Sequence, residues 1–325
     1  VTHPVAVVDG TFAGTDLHAV YKLQLEELGS PNIPALAELP HVGPHATGLG
    51  KLAANLGMPI ERRSYGWQLQ HGHRISSADQ LRAISHRDSV IQALADVAAG
   101  DDVPAVSVRL LGPVTAMTAG WLPSGQRIIR DPAARADIVD AWAEAAGALI
   151  ERIRSVTGAA TTLIVQERDA AQAVNGRIQT ASGAGFERSL DTAEIRSYWQ
   201  AIADQDAVML FDVSPQLQDT AAEICGVTMD WPQGRSHATE HVWELVDGLV
   251  RAETPVGLQL EQHGDPHRDA EQRIRQYLDW GLASEGLEYV RLLHRFDAAT
   301  EAQAGPGLHW LSLCAQHAGQ YVASL

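Results

Sequence analysis

Four apolar runs in this chain end on acidic residues. Thr161 to Gln166 is followed by Glu167, Arg168 and Asp169; Ala207 to Phe211 by Asp212; Val227 to Met229 by Asp230; and Val290 to Leu293 by His294, Arg295, Phe296 and Asp297. Three or four carboxylates brought to one place can hold a hard cation such as Mg²⁺ through oxygen ligands. Two of them can instead work as a general acid and base. Arg168 and Arg295 adjoin two of these carboxylates, so ion pairing is the competing outcome. The residues expected to do chemistry are therefore Asp169, Asp212, Asp230 and Asp297.

Histidines and aromatics add further candidates. His237 and His241 share one face of a helical segment, a spacing that can bind a metal or lie in solvent. Glu261, His263 and His267 follow another apolar run, at the end where a barrel strand would present them. Gly10-Thr11 and Ser182-Gly183 carry donors for a substrate carboxylate, and Gln166 closes its own strand. Tyr65, Trp67 and Trp121 offer flat faces to a ring-shaped ligand, or to the core. Gln166, Ser182, Glu261, His263, Trp67, Gly10 and Thr11 are thus expected to contact substrate. Motifs for dinucleotide binding, for a phosphate loop and for a serine nucleophile elbow are absent from the sequence.

The positioning elements follow from periodicity. Short apolar strands alternate with long helical segments, which implies an α/β chain with a parallel sheet. The strands are expected at Val5 to Val8, Pro104 to Leu110, Thr161 to Gln166, Val208 to Phe211, Val227 to Asp230, Val256 to Glu261 and Glu288 to Leu293. An eighth is placed near Tyr65 to Gln70. Ser77 opens a helix with Leu81, Ile84, Ile91, Leu94 and Val97 at helical spacing, and Asp131-Pro132 opens another. A last helix is expected from Pro306 to Ala323. Residues 29–50, rich in Pro, Gly and His, read as a long loop of the kind that closes over a barrel mouth. Eight such units in 325 residues predict one TIM-type (β/α)8 barrel spanning residues 1–325. Its chemistry belongs at the carboxyl ends of the strands.

Composition narrows the partners. The chain has 40 acidic and 24 basic residues, a net charge of -16, which argues against nucleic acid or an anionic membrane and leaves a small-molecule substrate. Two cysteines, Cys225 and Cys314, exclude a disulfide framework and point to the cytoplasm. No apolar run is long enough to span a bilayer, and no signal peptide is evident.

Several short motifs occur in an informative order: Gly14-Thr15-Asp16; Ala37-Glu38-Leu39-Pro40 with Gly43-Pro44; Gly48-Leu49-Gly50-Lys51; Leu111-Gly112-Pro113-Val114-Thr115; and Gly176-Arg177 before Thr180-Ala181-Ser182-Gly183. On these the chain resembles the catalytic barrel of the cobalamin-independent methionine synthases, most closely the short single-barrel bacterial relatives. The resemblance implies a barrel of the methionine synthase and uroporphyrinogen decarboxylase type. It implies methyl transfer from a methyl-tetrahydrofolate to a thiol such as homocysteine, with zinc held by a His, two Cys and an acidic residue. The His-x-Cys position of that family falls at Leu210 to Asp212, and its second Cys near Phe296 or Asp297; neither place carries Cys. Asp230 alone keeps the acidic type. The resemblance therefore implies a degenerate zinc site, with methyl transfer altered or lost. The alternative is a non-catalytic small-molecule-binding or assembly protein on the same barrel.

Overall fold

The computed structural model describes residues 3–70, 76–234, 236–262 and 264–324. Strands run β1 (Val5–Phe12), β2 (Ile60–Arg63), β3 (Gly66–Leu69), β4 (Ala105–Leu111), β5 (Ala160–Glu167), β6 (Val208–Val213), β7 (Gly226–Asp230), β8 (Val256–Gln259) and β9 (Val290–Ala299). Seven of them form one sheet in the order β1-β9-β8-β7-β6-β5-β4, and every neighbouring pair is parallel. All seven strands expected from the apolar runs are present in that sheet. With helices following the strands, this is a TIM-type barrel.

The eighth stave is not where the sequence pattern puts it. Tyr65 to Gln70 falls on β3, which pairs antiparallel with β2 in a separate hairpin. The gap between β1 and β4 is filled instead by residues 33–37, inside the segment expected to be loop. Ile33 bridges Val7, and Ala35 bridges Ser107, both in parallel sense. Ile33 donates to the Ala6 carbonyl at 2.8 Å, Ser107 to the Pro34 carbonyl at 2.8 Å, and Leu36 to the Ser107 carbonyl at 2.8 Å. Pro34 lacks an N–H donor and interrupts the ladder, so the stave is held by isolated bridges and does not form a regular strand.

A helix side chain supplies what the ladder lacks. The Ala35 N–H donates to Gln24 Oε1 at 2.7 Å, and Gln24 Nε2 donates to the Ala35 carbonyl at 3.3 Å. Ala37 N–H donates to the Tyr21 hydroxyl at 3.1 Å. Both Gln24 and Tyr21 are completely buried on the helix Leu17–Leu28. Replacing Gln24 by Ala would orphan a buried donor and a buried acceptor. We expect Gln24→Ala to lower unfolding free energy by about 2–4 kcal/mol in denaturant titrations.

Capping residues start the helices where their side chains predict. Asp16, Ser77, Asp131, Asp191, Ser236 and Asp265 each accept from an N–H of the first turn. The last helix begins earlier than expected, at Glu301, because Thr300 and Gln303 form a reciprocal capping box. Pro306 then sits in its second turn. No helix among the described residues is long and apolar enough to cross a membrane.

The barrel interior is layered by the two-residue period of its strands. Val7, Ile33, Ile164 and Leu293 form an apolar plug. Alternate positions on the other face, including Val8, Val108, Leu163 and Phe211, pack outward in the main core. Two residues beyond Val7 and Leu293 stand Asp9 and Arg295, opposite each other in the register of β1 and β9. Gln166 and Asp212 stand opposite each other on β5 and β6. The layer above the plug is therefore polar and sits at the carboxyl end of the barrel.

Candidate functional site

Asp9 anchors this layer. Its carboxylate is completely buried. Arg109 Nε lies 3.1 Å from its Oδ1, and Arg295 Nε donates to its Oδ2 at 2.9 Å. Arg295 also reaches Asp212, donating from Nη2 to Oδ2 at 3.1 Å. Arg168 Nε stands 3.7 Å from that same oxygen. Gln166 turns its amide oxygen to Arg109 and accepts from Nε and Nη2. Five strands or strand ends thus contribute to one network of three guanidinium groups and two carboxylates. Burial pulls Arg295 toward deprotonation, but Asp9 and Asp212 together outweigh it and hold the guanidinium above its ordinary value.

Close by, Glu167 organises the helix that follows β4. Glu167 is fully buried and faces four donors. Its Oε1 accepts from Val114 N–H at 3.0 Å and from Trp199 Nε1 at 2.9 Å. Its Oε2 accepts from Thr115 N–H at 2.8 Å and from Thr115 Oγ1 at 2.9 Å. Burial pushes this carboxyl up to about 6, against the pull of those donors. Gly112 makes room for it, since a Cβ there would fall 2.3 Å from Glu167 Cδ. The motif Gly112-Pro113-Val114-Thr115 is thus a carboxylate cradle for the protein's own Glu167.

The residues singled out from sequence are only partly gathered here. Asp212 and Gln166 belong to the network. Asp169 does not: it accepts from Thr118 Oγ1 at 2.6 Å, on the helix Pro113–Ala119. Asp230 and Glu261 are exposed and line a cavity of about 460 Å³ with Trp231, Gln259 and Arg273, at the ends of β7 and β8. Asp297 is exposed beyond Arg295. Gly10 lets β1 run against the Phe296 backbone at a positive φ of 148°, where any Cβ would collide, and Thr11 follows it. Ser182 lies in an exposed turn, 3.3 Å from the Thr180 hydroxyl. Trp67 is 6% exposed and packs in the main core. Trp121 is likewise buried, with the Arg127 guanidinium 4.1 Å over its ring. His263, like His71 and His73, lies outside the described residues.

Several key residues were not singled out from the sequence: Asp9, Arg109, and Arg168 and Arg295 as site residues in their own right. A usable signal exists for the first two. Each is the one charge in a mostly apolar strand, Val5 to Phe12 and Ala105 to Leu111. Such a residue must face either solvent or a polar barrel interior.

The residues present do not fit a zinc–thiolate centre. Cys225 precedes β7, at the end of the barrel away from the network, and Cys314 is buried in the last helix. Burial pushes both thiols up to about 12, away from the thiolate that zinc requires. No group of three or more His, Cys, Asp or Glu among the described residues is placed to hold a metal ion. His237 and His241 each pair with a different carboxylate, Glu240 and Asp219, at 3.1 Å on the outer surface.

No protein-family model and no curated protein matches the sequence. Solved structures do resemble the fold. A B12-independent methionine synthase from a Shewanella species, in complex with selenomethionine, superposes with a TM-score of 0.61 at 8% identity, over 100% of both chains. A methyltransferase from Methanosarcina mazei gives 0.49 at 13% identity, covering 98% of this chain and 94% of the other. A beta-glycosidase from Thermosphaera aggregans gives 0.32 at 9% identity, over 98% and 96%. At 8% identity the first likeness is one of fold, and it agrees with the parallel barrel described above.

Proposed function

We propose that this chain is a methyl-transfer-type barrel whose mouth binds a small carboxylate-bearing molecule, without a zinc–thiolate step. The observation that carries the reading is the network of Asp9, Arg109, Arg295, Asp212 and Arg168 at the carboxyl ends of the strands. That is the end at which barrels of this type do chemistry. The methyl-transfer type rests on the sequence motifs and on the fold shared with the methionine synthase. Homocysteine and methyl-tetrahydrofolate both carry carboxylates that guanidinium groups can recognise.

A second reading, binding without catalysis, draws on the same network. Asp9 and Asp212 are both engaged by arginines, which leaves neither poised as a free general base. One experiment addresses both readings. Metal content of the purified protein is measured, then calorimetry is run on the same sample with homocysteine and methyl-tetrahydrofolate. We expect zinc well below one ion per chain and saturable binding of at least one ligand, weakened by Arg168→Ala. Stoichiometric, tightly held zinc, or no binding of either ligand, would overturn the proposal. Binding of both without methylated product would favour the non-catalytic reading.

A further inference from the structure

Asp212 and Asp9 meet the arginines in different ways. Asp9 is completely buried; Arg295 donates to its Oδ2 at 2.9 Å, while Arg109 Nε lies 3.1 Å from its Oδ1 as an ion pair without a hydrogen bond. Asp212 is held loosely. Its contacts are 3.1 Å to Arg295, 3.5 Å to the Thr228 hydroxyl and 3.7 Å to Arg168. Charge-assisted bonds of this type ordinarily run at about 2.7–2.9 Å, so none of the three is a strong one. The guanidinium groups it touches are also open to solvent: the Arg295 side chain is 38% exposed and that of Arg168 is 54% exposed. Arg295 is fixed from behind through Nε by Asp9, which leaves its Nη2 edge presented to the mouth. Across the five charged side chains, positive charge exceeds negative by one.

From this we propose that Asp212 is an internal counter-ion occupying an oxyanion site, and that a ligand carboxylate or phosphate displaces it from Arg295 and Arg168. The inference rests on the mouth being the binding site and adds the mode of binding. Asp9 pre-orients Arg295, so the incoming oxyanion meets a guanidinium already held in place. Arg168, more exposed and reaching Asp212 only at 3.7 Å, is free to close onto the ligand from the β5 side. Thr228 offers its hydroxyl to whichever oxyanion is bound. Asp212, once displaced, turns toward solvent, where its charge is hydrated.

The consequence runs against the usual effect of deleting a site residue. Removing the charge of Asp212 should strengthen binding, because the ligand no longer competes with a tethered carboxylate or suffers its repulsion. The test follows the arginine side-chain Nε–H resonances of the full-length protein by NMR, assigned with Arg295→Lys and Arg168→Lys, during titration with sodium acetate and, separately, inorganic phosphate. Asp212→Asn should bind the preferred probe roughly tenfold more tightly than wild type, which corresponds to about 1.4 kcal/mol of relieved repulsion. The tighter of the two probes tells a carboxylate site from a phosphate site. Equal or weaker binding by folded Asp212→Asn overturns the inference. Should that variant fail to fold, Arg168→Gln decides, since its side chain is mostly in solvent: weaker probe binding supports the inference and unchanged affinity overturns it. If homocysteine binds the wild type while Asp212→Asn gains nothing, the site stands and the displacement falls. If Asp212→Asn gains affinity for the probes but neither organic ligand binds the wild type, the oxyanion site stands and the methyl-transfer reading falls.

Discussion

Asp9→Asn is expected to cost about 3–5 kcal/mol of stability. The carboxylate is completely buried and is the shared partner of Arg109 and Arg295. Neutralising it leaves two guanidinium groups in the barrel without their common counter-charge. An amide offers one oxygen where two are needed, and turns a donor toward at least one arginine. Gln166 can still accept from Arg109, and Asp212 can still accept from Arg295, so the loss is bounded. Denaturant titration should show a lower midpoint with an unchanged slope, the signature of a stability change without a change in the denatured state. A loss below about 1 kcal/mol, within the range of exposed ion pairs, would mean that water already solvates this layer and that Asp9 is not its anchor. Because Asp9 also orients Arg295, any folded Asp9→Asn protein should bind mouth ligands more weakly, the opposite of the expectation for Asp212→Asn.

Glu167 carries the second large effect. Glu167→Ala removes the acceptor for four buried donors on Val114, Thr115 and Trp199. It also empties the space that Gly112 keeps for it. Each orphaned buried donor costs about 1–3 kcal/mol, so a total loss of roughly 4 kcal/mol or more is expected, with local opening of the helix Pro113–Ala119. Hydrogen exchange should show that opening first at Val114 and Thr115.

The same carboxyl gives stability a pH dependence whose sign can be stated. Burial raises it from its ordinary 4.5 to about 6 in the folded protein. Between those two values the folded state holds a proton that the unfolded state has released. Its contribution is therefore fully present below pH 4.5 and is lost as pH rises through about 6, a change of about 2 kcal/mol. Gln at this position cannot titrate. The stability difference between wild type and Glu167→Gln should accordingly shift against the wild type by about that amount between pH 4.5 and 6.5. A difference independent of pH would show that the four donors keep Glu167 ionised throughout.

Much of the architecture can be read from local chemistry. Strand runs such as Val208 to Phe211 and Thr161 to Gln166 are apolar because both faces of a parallel barrel strand are covered. Asp16, Ser77 and Asp131 cap their helices because their side chains accept from N–H groups a few residues away. Such signals lie within one turn or one strand and need no knowledge of the rest of the chain. The acidic strand ends were visible for the same reason, and Asp212 and Gln166 do sit at the barrel mouth.

What the tertiary structure alone decided was partnership across long separations. Asp9 and Arg295 are 286 residues apart, and Arg295 and Asp212 are 83 apart. Their pairing depends on β1 closing against β9 and on which face of each strand turns inward, neither of which is encoded in spacing. The eighth stave was hidden because Pro34 removes a ladder donor and only isolated bridges form, while Gln24 and Tyr21, on a neighbouring helix, bond the backbone of Ala35 and Ala37. Trp67 carries the same ring whether it lines a pocket or a core, and only packing around β3 settles that it is core. Local hydrogen bonding and apolar periodicity are properties of a segment and can be read from it. Charge compensation inside a closed barrel is a property of the whole chain, because the low-dielectric interior rewards a carboxylate for whichever guanidinium the closure brings to it.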